Sequence, residues 1–181
     1  MSRAIILCID GVEEIECLTV VDFCRRAGIE TVTASMTDDL LIHGMHGIDF
    51  FADQFFKDAD LSSFDAIVYP GGAGAGALGD VPGSREAAAE FLQGGKLLAA
   101  ICASPGMLSR DGLIKDRHCT GYPGCTPQGG AIWSDDAAVT DKNLITGRGP
   151  GCACDFALEI IKYLEGAEKE MEIRTQTVMP R

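Results

Sequence analysis

The stretch AICASP, residues 100–105, ends an apolar run on Cys102 and opens a helix within three residues. Ala100 and Ser104, two positions either side of the sulfur, are small, as a sharp strand-to-helix turn that lifts a nucleophile above a sheet requires. Ser104 suits a helix cap and Pro105 the first helical position, so Cys102 would face backbone N–H groups at the positive end of a helix. Such a setting favours the thiolate and lowers the thiol pKa. The same residue also fits an inert, buried cysteine at a strand end. A partner has to decide between packing and chemistry.

In open α/β sheets chemistry gathers beyond the carboxyl ends of the strands, so partners are sought after the other strands. After the first comes DGVEEIE, residues 10–16. Glu13 and Glu14 are accounted for as acidic residues in the first turn of a helix, whereas Glu16 lies between Ile15 and Cys17. In that apolar setting its carboxyl tends to stay protonated, able to donate a hydrogen bond to a thiolate. After the third long strand comes PGGAGAGALGD, residues 70–80, whose Gly71-Gly72 pair lets backbone N–H groups approach an oxyanion. This stretch also holds a literal GxGxxG at 74–79, but DVPGS separates it from the helix near Arg85, and the first βα unit has no such loop. A structural turn fits better than a dinucleotide fingerprint.

The elements that must position these groups are near-continuous apolar runs at 4–9, 30–35, 65–70, 96–101 and 143–147, as expected of strands covered on both faces. Helical stretches lie at 14–27 before Gly28, at 84–93 before Gly94-Gly95, and at about 154–165, where Asp155 is a plausible cap and Gly166 a stop. This alternation predicts a doubly wound α/β fold, a mostly parallel sheet with helices on both faces. Residues 37–58 read as short strands and turns, 110–142 as a loop-rich excursion with one or two strands, and 167–181 as a polar, peripheral tail.

With 181 residues the chain suits a single domain spanning 1–181, and a net charge of −12 argues against nucleic acid and anionic lipid surfaces. No apolar run approaches the ~20 residues of a membrane span, and the start MSRAIILCIDG reads as a first strand, so the expected location is the cytoplasm. The eight cysteines form no CxxC pair and no paired zinc spacing; they are expected to be reduced, with no metal and no cofactor. Cys152 and Cys154, in the unusual CAC, read as bystanders on the same grounds.

The motifs GVEEIE, VDFCRRAGIE, DAIVYPGG, AAICASP and GRGPG, in this order and spacing from about residue 3 to 166, resemble the ThiJ/PfpI superfamily. The resemblance implies a flavodoxin-like, class I glutamine amidotransferase-like fold, commonly dimeric. It implies Cys102 as nucleophile, Glu16 as the carboxyl that hydrogen-bonds it, and the N–H groups of Gly72 and Ala103 as an oxyanion pocket. Implied activities are glutathione-independent conversion of methylglyoxal to lactate and removal of early glycation adducts, with a small aldehyde or a glycated protein as partner. The alternative implied is a redox-sensing holdase chaperone using oxidation of Cys102.

The chain departs from the family pattern in three places. Ala131 stands where one branch has a histidine after a Gly-Gly pair, and Ala103 stands where the protease branch has one directly after the cysteine. A Cys-His dyad and peptidase activity are therefore not expected, and the proton shuttle loses general acid–base help typically worth about 10²–10⁴-fold. His46 takes the position of an arginine that in relatives lies at the dimer contact, and Arg148 matches the GRGPG motif; both are accessory candidates.

Overall fold

The computed structural model describes residues 1–125 and 129–180. In chain order the elements are β1 (Arg3–Cys8), α1 (Glu14–Arg26), β2 (Glu30–Ser35), β3 (Leu41–Ile42), β4 (Phe50–Phe51), β5 (Gln54–Phe55), β6 (Ala66–Tyr69), α2 (Ala75–Leu78), α3 (Ser84–Gln93) and β7 (Leu97–Ile101). They continue with α4 (Ser104–Arg110), β8 (His118–Cys119), β9 (Ile132–Trp133), β10 (Ala138–Asp141), β11 (Leu144–Gly147), α5 (Ala153–Glu165) and α6 (Ala167–Gln176).

Seven strands form one sheet in the order β10-β11-β7-β6-β1-β2-β5, antiparallel only between β10 and β11. Side chains of a strand alternate between faces, so a strand covered on both sides is apolar throughout. In β1 that alternation sends Ala4, Ile6 and Cys8 to a core shared with α1 and α5, and Ile5 and Leu7 to one shared with α3 and α4. The chain leaves β1 for β2 on one side and returns for β6 on the other, which opens a crevice at their carboxyl ends. The loops after β1, β6 and β7 all meet there.

Three expectations change, and the polar tail, expected to be mobile at its end or docked on the surface, is docked. Ser104 is not the cap of α4: Ala103 already has helical angles and is the N-cap, and the Ser104 hydroxyl instead donates to the Pro70 carbonyl at 2.6 Å. Asp155 is not the cap of α5, because a 3-10 turn at Pro150–Cys152 feeds straight into the helix and puts Asp155 in its first turn. Among its described residues the 110–142 excursion carries three strands, β8, β9 and β10. Residues 167–176 of the tail form α6, which docks on the α1/α5 face through the fully buried Ile173. Burying that one side chain contributes about 1.5–3 kcal/mol to the docking.

Candidate active site

The geometry starts with Cys102, a non-glycine residue at φ +63°. The left-handed conformation costs an L-residue roughly 1–3 kcal/mol, and it swings the sulfur out of the sheet direction into the crevice. Two backbone hydrogen bonds hold it there. Cys102 N–H donates to the Gly147 carbonyl at 2.9 Å, and the Cys102 carbonyl accepts from Tyr122 N–H at 2.8 Å. Only 8% of the residue remains exposed.

Glu16 reaches the same spot from the first turn of α1 and is fully buried. Its Oε2 accepts from Gly71 N–H at 2.8 Å. Its Oε1 has no hydrogen-bond partner among the described residues, and the Cys102 thiol beside the carboxyl favours its charged form. The fit explains why residue 71 is glycine: a Cβ there would lie 2.5 Å from both the Cys102 Cβ and Glu16 Oε2. Gly72, at φ +102°, has no room for a side chain against the Gly11 carbonyl and Glu13 N–H. That close approach aims the Gly72 N–H at the sulfur, alongside the Ala103 N–H.

Electrostatics set the protonation of this pair. Burial pushes the Glu16 carboxyl up to about 7, against the hydrogen bonds from Cys102 and Gly71 N–H that favour its charge. The expected lowering of the Cys102 thiol does not occur. Burial first, then the charge of Glu16 and its hydrogen bond, push the thiol up to about 12 and outweigh the Gly72 and Ala103 N–H groups. Between these values the pair carries one proton, and Glu16 ionises at the lower pH. The site is therefore a thiol beside a carboxylate base, with two N–H donors where an oxyanion would form.

The other candidates are engaged with partners other than Cys102. His46 Nδ1 is 3.1 Å from Glu14 Oε2 and 3.5 Å from Glu13 Oε2, and its own N–H donates to Glu14 Oε1 at 2.7 Å. Those three residues bring potential ligand atoms within 4.8 Å of one another, an arrangement the His46 ion pair accounts for. Arg148 pairs with Asp135 at 2.6 Å and braces its loop. Ala131 packs against the α3/α4 core, while Tyr122 is the residue that docks on Cys102. Sequence reasoning missed Tyr122, whose only sequence signal is the turn-forming Pro123-Gly124 after it. Cys152 and Cys154 are both free and half-buried.

A model of the DJ-1/PfpI family matches residues 2–163. The chain belongs to this family. Protein dj-1beta of Drosophila melanogaster is 35% identical over 178 residues, covering 96% of this chain and 95% of that protein. Its crystal structure superposes with a TM-score of 0.94 at 33% identity, covering all of both chains. The glutathione-independent glyoxalase DJR-1.2 of Caenorhabditis elegans is 34% identical, over 93% of this chain and 91% of that protein. Deglycase PYRAB04690 of Pyrococcus abyssi is 30% identical, over 90% and 99%. The DJ-1/PfpI fold is the flavodoxin-like, class I glutamine amidotransferase-like sheet described above. No helix among the described residues is long and apolar enough to cross a membrane.

Proposed function

We propose that this protein is a cysteine-dependent enzyme of reactive carbonyl defence, converting methylglyoxal to lactate and acting on the early adducts that such carbonyls form with proteins. The observation that carries the reading is the buried Glu16 carboxyl, with one orphaned oxygen, set against a cysteine held at φ +63° beneath two N–H donors. The names of DJR-1.2 and the Pyrococcus deglycase support it.

In this mechanism the Glu16 carboxylate takes the thiol proton as the sulfur adds to the aldehyde carbon. The developing oxyanion is held by the Gly72 and Ala103 N–H groups until Glu16 returns the proton, leaving a hemithioacetal. Glu16 then removes the proton on the former aldehyde carbon, giving an enediolate. The hydroxyl proton on that carbon's oxygen passes to the neighbouring oxygen, and Glu16 delivers its proton to the neighbouring carbon as the thioester carbonyl forms. The result is the Cys102 thioester of lactate, which water hydrolyses to lactate and free thiol. One carbon is oxidised and its neighbour reduced, so the reaction calls for no external redox cofactor.

The reading includes a second copy of the chain as partner. Ile15, Ile48 and Phe51 expose apolar side chains beside the Glu14–His46 pair, and sedimentation equilibrium tests whether that face pairs two copies. The alternative, a redox-sensing chaperone, requires peroxide to attack a thiolate. Burial and Glu16 disfavour that thiolate, whereas carbonyl addition uses Glu16 as the base. Lactate formation from methylglyoxal decides the main claim: Cys102→Ala is expected to lose about a thousandfold or more, and equal rates for the two proteins reject it.

A further inference from the structure

Eight arginines lie among the described residues, and seven of them have a carboxylate oxygen within 3.3 Å. Arg110, the last residue of α4, has none among the described residues. In a chain of net charge −12 an arginine without an acid partner stands out, and its position gives it a use.

Ala103, Gly106, Met107 and Arg110 recur at helical spacing and line one wall of a cavity of about 290 Å3, closed opposite by Gly76 and Cys125. Gly106 keeps the groove narrow and open at once, since a Cβ there would come within 3.1 Å of the Cys125 Cβ. The groove starts at Ala103, whose N–H faces the Cys102 sulfur, and runs to Arg110, seven residues and about 10 Å of backbone rise further along the helix. Its floor is small and apolar, and its one cation is at the far end. Cys102 itself lines neither this groove nor a larger cavity of about 500 Å3 between Ile9, Phe56 and Pro82, but only the groove is lined by its neighbour Ala103 and by residues of α4.

We infer that the groove is a second substrate anchor, in which Arg110 holds a carboxylate or phosphate of a carbonyl compound whose aldehyde end reaches Cys102. This rests on Cys102 being the reacting group, and it extends the substrate class from small neutral aldehydes such as methylglyoxal to longer, anionic carbonyl compounds, which the groove would hold more tightly. A planar fork of N–H donors suits both anions, and it offsets locally the repulsion that an acidic protein exerts on such substrates.

The test follows labelling of Cys102 by two maleimides of equal chemistry, neutral N-ethylmaleimide and 6-maleimidohexanoate, whose carboxylate trails the reactive carbon by about the length of the groove. Peptide mass spectrometry separates Cys102 from Cys125. The ratio of the two rates cancels any change in thiol reactivity. It is expected to fall about fivefold from wild type to Arg110→Ala, to be partly kept in Arg110→Lys, and to shrink with added salt. Repeating the measurement with inorganic phosphate as competitor shows whether phosphate takes the same place. An unchanged ratio overturns the proposal, as does a Cys102 that neither reagent reaches; an arginine that only neutralises the end of α4 would leave the ratio alone. If the ratio behaves as expected but methylglyoxal gives no lactate, the proposed activity fails and the anion anchor stands.

Discussion

Glu14 and Glu16 sit two residues apart in the first turn of α1, are 3% and 0% exposed, and behave in opposite ways. Burial acts to raise both. At Glu14 it is overridden by the helix-start N–H of Glu14 itself, the N–H groups of His46 and Ile48 and the His46 ring, which hold the carboxyl at about 2. Glu16 receives one N–H, from Gly71, and faces a thiol with the rest, so its carboxyl stands at about 7. Burial therefore does not decide what a carboxylate does; the count of donors supplied to its oxygens does. One glutamate is a structural anion. The other is left short of partners and becomes a base at neutral pH.

The comparison breaks most visibly in turnover. Glu16→Gln removes the base and is expected to lower kcat/KM for methylglyoxal about a hundredfold, whereas Glu14→Gln leaves it within about twofold. In stability the two separate with opposite signs. Glu16 has its pKa raised from 4.5 to about 7 on folding, so its contribution is full below pH 4.5 and is lost as pH rises through 7. Urea titrations should show wild type losing on the order of 3 kcal/mol relative to Glu16→Gln between pH 4.5 and 8. Glu14 has its pKa lowered, so its contribution is present above pH 4.5 and is lost as pH falls towards 2. At pH 7 Glu14→Gln is expected to cost about 1 kcal/mol, and below pH 2 nothing. The smallest effect is on His46, whose ring is held protonated to higher pH by its hydrogen bond to Glu14 and the charge of Glu13. Its NMR titration midpoint should drop in Glu14→Gln and stay put in Glu16→Gln.

Much of this was legible in the sequence because strand ends are. The apolar runs marked β1, β6 and β7, and the residues just after them are Glu16, Gly72 and Cys102. Caps were less legible. Ser104 and Asp155 have capping side chains, but a left-handed Cys102 and a 3-10 turn before α5 each started the helix earlier than side-chain chemistry suggests. Helix α6 was hidden because it carries only Met171 and Ile173 as large apolar residues, too few to mark a stripe. Tyr122 and Arg110 were the least legible: one belongs to a loop whose only signal is the Pro123-Gly124 turn, and the other matters because no carboxylate pairs with it among the described residues. The thiol was read as lowered because a helix N-terminus is visible in sequence and the burial of a neighbouring carboxylate is not.

The central claim is that Glu16, as a carboxylate, takes the Cys102 proton. The direct measurement is the pH dependence of kcat/KM for methylglyoxal in wild type and Glu16→Gln from pH 5 to 9. The account predicts a wild-type rate that rises through a midpoint near 7 and then levels, with no such rise in Glu16→Gln. A wild-type rate that falls above pH 7, as a thiolate served by a protonated Glu16 requires, would contradict it.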